Sequence, residues 1–431
     1  MLWGLGVGYV ISGMYVGWNL GLNEGGTLGM AIATFFIIIM YVAFSFSYSE
    51  LACAIPKAGG AFDYAQRTLG RHVAFIAGIA QVIEFVFAPP AIAFGIGAYL
   101  NLLIPEISIL NFAIGSYILF TAINIYGVKF AATFELVVTL ISLLGIVLFL
   151  YVTIPHFQFS NLEKNAYPQG WTGSFAAIPF AIWFFLGIEG VANVAEETVN
   201  PQKDIVRGFG SAILTLVVAC ILTFIFAVGV GGWETIVFNQ VTGETSDSPL
   251  PLALNAVIGN TSLVYRVVVS VGLFGLIASF HGLLLAAGRA TFELGRVGYA
   301  PPFLGKIHKR FQTPHIALIV NMLVGIAALL TGKTGDIITL SVFGALILYI
   351  LSMIAVLVFR KKEKDAPRPF KVPFFPLTPL VALAIALFSF LAMLYYHWPL
   401  ALVFFGLLLL SFIAFKIFVK LTPTGGGDHT A

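Results

Sequence analysis

Glu84 is an acidic residue inside an apolar segment, and its depth there points to charge chemistry. If the segment 74–103 spans a membrane, Glu84 lies roughly 15 Å deep at about 1.5 Å per residue, near the middle of a hydrocarbon core about 30 Å thick. A charge there costs at least about 2.5–3.5 kcal/mol, so we expect a functional partner. Phe87 follows one turn later, and Pro89-Pro90 deprives two upstream carbonyls of helical donors. We expect Glu84 to be an ammonium counter-ion or a proton carrier, with structural hydrogen bonding as the alternative.

Further ionisable side chains in apolar segments include Glu189, Glu135 and His281. Glu189 is roughly 22 Å below one end of its segment, where it either gates below a substrate or bridges to another helix. Glu135 lies about a turn and a half from an interface, which favours snorkelling or interhelical hydrogen bonding over substrate contact. His281 lies near Ser279 and could act as a titrating group, although a core histidine with satisfied hydrogen bonds is the favoured interpretation.

Two of the apolar segments have compositions that favour an interrupted helix. The first is rich in glycine between Gly6 and Gly17, and the other carries Glu189 between Gly187 and Gly190. Paired interrupted helices at matching positions in two halves of a chain are typical of inverted-repeat transporters, whose site lies near the bilayer midplane. A glycine face that allows close helix packing is the alternative.

Such breaks supply the groups that would replace the hydration shell of a small organic cation. Residues out of helical register leave carbonyl acceptors unpaired. Aromatic side chains next to the breaks could add cation–π faces worth about 0.5–2 kcal/mol each. These are Tyr9, Tyr15, Trp183, Phe184 and Phe185. Because aromatic residues make up 14% of the chain, packing between helices is the alternative for each of them.

The composition excludes a water-soluble fold. Of the 431 residues, 59% are hydrophobic and 10% are charged, against about 25% charged in a soluble domain. One span needs about 20 apolar residues, and continuously apolar segments favour helices over a barrel. The sequence predicts twelve helical spans, at 3–22, 27–52, 74–103, 108–126, 130–154, 174–195, 207–231, 262–288, 315–332, 336–359, 376–396 and 398–419.

The distribution of Lys and Arg predicts the orientation of these spans. With both termini in the cytoplasm, nineteen basic residues lie inside, and only Lys164, Arg266 and Lys333 lie outside. The outer loops are acidic instead, which would modestly concentrate a cationic solute over about 10 Å. The alternative is that the acidic outer loops merely reflect the positive-inside rule and have no role in binding. We therefore expect a multi-pass protein of the cell (inner) membrane.

Three strings in the predicted cytoplasmic loops resemble the signatures of the amino acid–polyamine–organocation superfamily of transporters. They are SELACAIPKAGGAFDYAQRTLGR at 49–71, EETVNPQKDIVRG at 196–208 and AAGRATFELGRVGYAPPFLGKIHKRFQTP at 286–314. Within that superfamily, the segments 2–26 and 81–100 are most similar to the bacterial ethanolamine permeases. The resemblance covers nearly the whole chain.

The resemblance implies an all-α membrane protein of the LeuT type. Residues 1–154 and 155–359 would form two inverted repeats of five spans, 360–421 two peripheral spans, and 422–431 a flexible tail. Substrate would lie between unwound segments Ile11–Met14 and Phe185–Ile188. Ile11 stands where relatives usually have glycine, and Ser142 stands where many have a lysine thought to link protonation to transport. Coupling through that lysine is therefore excluded for this chain.

The resulting prediction is a secondary transporter that imports ethanolamine or a similar small amine by alternating access; an amino-acid permease of the same fold is the alternative. The expected substrate-binding residues are Tyr9, Ile11, Ser12, Gly13, Met14, Tyr15, Glu84, Phe87, Trp183, Phe184, Phe185, Leu186, Gly187 and Ser279. The expected coupling or gating residues are Glu189, His281 and Ser142.

No enzyme, cofactor or metal chemistry is expected. The sequence has no HExxH motif and no residues that resemble a Ser-His-Asp set, and its glycine pairs precede no strand. Cys53 and Cys220 lie in apolar runs and are expected to be small buried side chains. The expected partners are the amine substrate, the lipid bilayer and a coupling proton or sodium ion, without nucleic acid or an obligatory protein subunit.

Overall fold

The computed structural model describes residues 2–57, 59–127, 131–197, 200–239 and 242–421. The predicted tail at 422–431 lies outside them. The helices of the first half are α1 Leu2–Val10, α2 Ser12–Tyr15, α3 Asn19–Ala54, α4 Ala61–Leu69, α5 Arg71–Leu103, α6 Ile109–Tyr126, α7 Ala131–Thr153 and α8 Phe159–Glu163. Those of the second half are α9 Gly170–Ala176, α10 Ile178–Trp183, α11 Pro201–Gly229, α12 Trp233–Val237, α13 Pro249–Ile258, α14 Leu263–Arg296, α15 His315–Leu329, α16 Thr334–Lys362, α17 Leu377–Tyr396 and α18 Trp398–Leu421, with a 3₁₀ helix at Ile188–Glu197.

Among the described residues, nine helices are long and apolar enough to cross a membrane, and the bent pair α9 and α10 makes ten if it is one span. Helices occupy every segment in which the sequence predicts a span. Two of them begin at serines that cap the helix: Ser108 accepts from the amide of Asn111, and Ser262 accepts from that of Tyr265. The prediction of a helical, multi-pass membrane protein is confirmed.

The first predicted span is interrupted, as its glycines indicate. Helix α1 ends at Val10, the four-residue α2 follows, and the chain then leaves helical geometry at Val16 and Gly17. Gly17 has a φ of +87°, which favours glycine because it has no Cβ. Helix α3 joins the end of the first predicted span to the whole second one through a kink at Gly26, where φ is +64°.

The predicted sixth span is interrupted as well. Helix α9 and the segment Ile178–Asn193, which begins with α10, meet at an angle of 43° next to Ala177. The chain then turns through Phe184–Gly187, where Gly187 has a φ of +92°, and continues as the 3₁₀ helix. Helical hydrogen bonding is therefore lost beside Glu189.

Helix α5 carries Glu84 and continues through Pro89 and Pro90 without a break. It packs against α14 and α16. Close approach to α16 is possible because Gly344 has no side chain: an added Cβ there would lie 2.8 Å from the backbone nitrogen of Glu84. The hydroxyl of Ser341 on α16 also donates to the carbonyl oxygen of Glu84 over 2.9 Å. Helix α16 thus packs directly against the backbone of Glu84.

A buried ionic clamp ties α3 to α16 at the Lys/Arg-rich face. Glu50, which is fully buried, accepts two hydrogen bonds from Arg360, of 2.7 and 2.6 Å, and a third from the amide of Val372 at 2.7 Å. The guanidinium of Arg360 lies 4.0 Å from the ring centroid of Phe375. Because a buried charge is costly unless its hydrogen bonds are satisfied, this clamp strongly favours one arrangement of the two helices.

Candidate functional site

The backbones of the two interrupted spans are in close contact at Gly13. A Cβ added there would lie 2.6 Å from the carbonyl oxygen of Trp183 and 3.1 Å from the Cα of Phe184. The indole of Trp183 donates to the carbonyl oxygen of Val16 over 2.9 Å, and Trp18 stacks on Phe184 with ring centroids 5.4 Å apart. Of the two predicted unwound segments, Phe185–Ile188 falls on the observed turn, whereas Ser12–Met14 is helical and the first span leaves helical geometry only at Val16 and Gly17. The structure brings the two interrupted spans into direct contact.

Beside this junction, Glu84 and Glu189 face each other. Glu84 comes from α5 and Glu189 from the 3₁₀ helix, and both are fully buried. The groups that face the Glu84 carboxyl are the Glu189 carboxyl, the Gly187 backbone and the Tyr349 side chain. Tyr349 donates to Glu189 over 3.0 Å, whereas neither oxygen of Glu84 has a hydrogen-bond partner of good geometry. We call these two residues the carboxyl pair.

A chain of aromatic side chains surrounds the carboxyl pair. The hydroxyl of Tyr41, on α3, lies 3.0 Å from that of Tyr349, on α16. The ring of Phe185 lies 5.2 Å from the ring of Tyr41. The pair therefore has hydroxyl groups and aromatic rings around it, and within the described part of the chain no ion pair reaches either carboxyl. Such a site can hold a proton or a cation.

Ser279 of α14 bridges the break in the first span. Its hydroxyl accepts from the amide of Ser12 over 2.9 Å and donates to the carbonyl oxygen of Gly8 over 2.7 Å. The break therefore has its polar groups satisfied from a neighbouring helix. Ile11 is completely buried at the same point.

A second buried ionisable group lies where α1, α7 and α14 meet. Nδ1 of His281 lies 3.4 Å from Oε2 of Glu135, and both side chains are buried. The rings of Phe120 and Phe134 contact the imidazole. Of the alternatives for Glu135, interhelical contact is the one observed, and its burial excludes snorkelling.

The remaining predicted residues are more scattered. Tyr15 turns toward α7 and α14, since its hydroxyl donates to the carbonyl of Ser142 and its ring packs on Gly272. The ring of Tyr9 packs on Gly190 and Gly282. Phe87 is only partly buried, Ser142 donates within its own helix to Thr139, and Met14 and Leu186 are buried in the core.

A polar cavity of about 400 Å³ opens on the acidic face of the protein, opposite the Lys/Arg-rich face. Its lining includes Glu24, Phe180, Asp247, Lys333, Thr334, Asp336 and His397. Thr334 donates to Asp247 over 3.1 Å, and burial raises the pKa of this carboxyl from 3.8 to about 6. Burial lowers the pKa of His397. Trp183 and Ile338 pack against Gly17.

Comparison with known proteins identifies the class. The family described as amino acid permease matches residues 2–422. An uncharacterized transporter of Rhizobium meliloti is 28% identical over 404 residues, covering 91% of this chain and 85% of the relative. The branched-chain amino acid permease of Bacillus subtilis is 26% identical over 90% and 85%, and its methylthioribose transporter is 29% identical over 89% and 85%.

The chain belongs to the amino acid permease family. It is a multi-pass integral membrane transporter of the amino acid–polyamine–organocation type, as its loop signatures predict. The proteins it resembles are transporters rather than enzymes.

Proposed function

We propose that this protein is a secondary transporter that imports ethanolamine or a similar small organic amine, with the substrate ammonium held between Glu84 and Glu189. The observation that carries the proposal is the carboxyl pair: two buried acids beside the interrupted sixth span, with no basic partner within ion-pair distance among the described residues. An ammonium needs acceptors and anions to replace its water, and the pair offers four carboxyl oxygens. The rings of Phe185 and Tyr41 add faces suited to a cation.

The proposal includes a LeuT-type arrangement of two inverted repeats, 1–154 and 155–359, with peripheral spans in 360–421. Its support is that spans one and six, which are five apart, both contain a break within the part of the chain that the structure describes. Alternating access would then move the two repeats around the junction at Gly13. The excess of Lys and Arg on one face supports cytoplasmic termini in a cell membrane.

Transport of an amino acid is the second candidate, and the relatives support it: one is a permease for branched-chain amino acids. An amino acid also needs donors for its carboxylate. At the break in the first span, the amide of Ser12 already donates to Ser279, and that of Met14 donates to the carbonyl of Ile11. With the bulky Ile11 also at this point, we favour a substrate without a carboxylate.

Uptake into proteoliposomes tests both candidates. Labelled ethanolamine should accumulate, and unlabelled ethanolamine should compete with it, whereas alanine and leucine should not. Uptake of labelled alanine or leucine, without uptake of labelled ethanolamine, would favour the second candidate. Glu84→Gln should lower ethanolamine uptake at least tenfold because the neutral amide cannot balance an ammonium.

The matched control is Glu106→Gln, an equal change at an exposed acid just beyond the end of α5. It should leave uptake within twofold of the unmodified protein. A Glu84→Gln protein that folds and also transports within twofold would contradict the proposed role of the carboxyl pair.

A further inference from the structure

Among the described residues, no positively charged group lies beside the carboxyl pair to balance an ionised carboxyl. Both side chains are fully buried, and among the described residues neither has a basic partner within ion-pair distance. The other titratable groups facing them are tyrosines, Tyr349 from α16 and Tyr41 and Tyr48 from α3, none of which supplies positive charge. Two adjacent carboxylates in a low-dielectric interior are strongly disfavoured, so the empty pair must bind protons.

The number of protons changes when an ammonium enters. An empty pair with two protons is neutral, and it stays neutral with an ammonium bound only if one proton leaves. An empty pair with one proton carries a single negative charge, and it keeps that charge only if the remaining proton leaves. In both cases a constant net charge, which the low dielectric favours, requires the loss of one proton for each ammonium.

We propose that each substrate ammonium bound between Glu84 and Glu189 displaces one proton, so that the protein exchanges an organic ammonium for a proton without moving net charge. This inference rests on the proposed function. On one side of the membrane, a carboxyl O–H bond breaks, the proton goes to water, and the ammonium keeps all its N–H bonds. On the other side the ammonium leaves, and the pair takes a proton from that side before the empty carrier returns.

Exchange of this kind differs from proton symport in what drives it. Because no net charge crosses, membrane potential should not change the rate at which substrate accumulates. A proton gradient that is acidic inside should increase uptake, since protons then leave down their gradient as ammonium enters. Symport of substrate with protons requires the opposite gradient.

Calorimetry on the purified, full-length protein measures the displaced proton directly. Ethanolamine is titrated at one pH in phosphate and in HEPES, whose heats of ionisation differ, and the difference in binding heat gives the protons released. We expect a value of about one proton per ethanolamine. Binding with no release, or with proton uptake, overturns the inference and leaves the proposed function standing. Absence of ethanolamine binding contradicts the proposed function itself.

A control variant identifies the source of the proton. Glu135 contacts His281 and is another buried acid. If the carboxyl pair is the source, Glu135→Gln should still release one proton per bound ethanolamine. A fall to zero in this variant assigns the proton to Glu135 and His281 and overturns the inference.

Proteoliposomes supply a second, independent test. Potassium gradients with valinomycin set the potential, and the initial rate of ethanolamine uptake is measured with and without a pH gradient. An inside-negative potential should change the rate by less than twofold, and an inside-acid gradient should raise it several-fold. Uptake driven by potential, or by an outside-acid gradient, contradicts electroneutral exchange.

Discussion

The indole N–H of Trp183 donates to the carbonyl oxygen of Val16 over 2.9 Å, and this bond joins the two interrupted spans. Val16 has already left helical geometry, and Trp183 is the last residue of α10. The bond therefore gives a donor to a carbonyl at the break and fixes the indole beside Gly17.

Replacing Trp183 by Phe should weaken the contact between the two interrupted spans. The aromatic ring is kept, but the buried carbonyl of Val16 loses its donor, at a cost of about 1–3 kcal/mol. We expect slower ethanolamine uptake and a lower unfolding temperature in detergent. Trp171→Phe, at an exposed tryptophan on α9, is the control and should change neither quantity. Equal behaviour of the two variants would show that the bond to Val16 has no part in transport.

Gly13→Ala should abolish transport. The added methyl would lie 2.6 Å from the carbonyl oxygen of Trp183, and backbone on both sides leaves no flexible side chain to move away. We expect uptake to fall at least tenfold, measured in proteoliposomes at matched protein content. Gly115→Ala on α6 is the matched control, because a Cβ there meets no atom within 4 Å. Normal uptake by Gly13→Ala would mean that the two breaks separate more easily than their contact indicates.

Ser279→Ala should destabilise the first span at its interruption. The change leaves the amide of Ser12 and the carbonyl of Gly8 without their shared partner, and each buried unpaired group costs about 1–3 kcal/mol. We expect a lower unfolding temperature together with reduced uptake. Ser270→Ala, on the same helix but only partly buried, should have little effect. A Ser279→Ala protein as stable as the control would contradict the bridging role.

The pH dependence of stability should respond to Asp247. Because burial raises its pKa from 3.8 to about 6, the folded protein keeps a proton that the unfolded chain has released. The stability that this proton contributes is complete below about pH 4 and is lost as the pH rises through about 6. Asp247→Asn removes this loss, so its unfolding temperature relative to the unmodified protein should be higher at pH 7 than at pH 4.

Glu244→Gln, at an exposed acid in the same loop, is the control for that measurement and should show no such change with pH. His397 also lies at the cavity but is present in all three proteins, so its contribution cancels in the comparison. A difference between Asp247→Asn and the unmodified protein that is equal at both pH values would contradict the effect of burial on this carboxyl.

The sequence predicts the positions of the helices well because a bilayer demands long apolar runs, and such runs are visible without any alignment. The interruptions are also predictable, since Gly17 and Gly187 adopt positive φ values that favour glycine. The kink at Gly26, which joins two predicted spans in one helix, is not visible, because hydropathy marks apolar length and not the path of the backbone.

The site is less predictable than the fold. Depth estimates put Glu84 near the midplane and Glu189 toward one face, yet the two carboxyls face each other. Counting residues along a helix axis ignores the turn that follows α10 at Phe184–Gly187. The sequence does not point to Tyr41 and Tyr349 either. A hydroxyl in an apolar span is the only signal that each offers, and the partner of that hydroxyl lies on another helix.

The clamp at Glu50 limits which parts of the molecule can separate. Since Glu50 accepts from Arg360 and from the amide of Val372, pulling α3 away from α16 would leave a carboxylate stranded in an apolar environment. We therefore expect these two helices to move as one unit during a conformational change. A passage toward the Lys/Arg-rich side must therefore form away from the contact between α3 and α16.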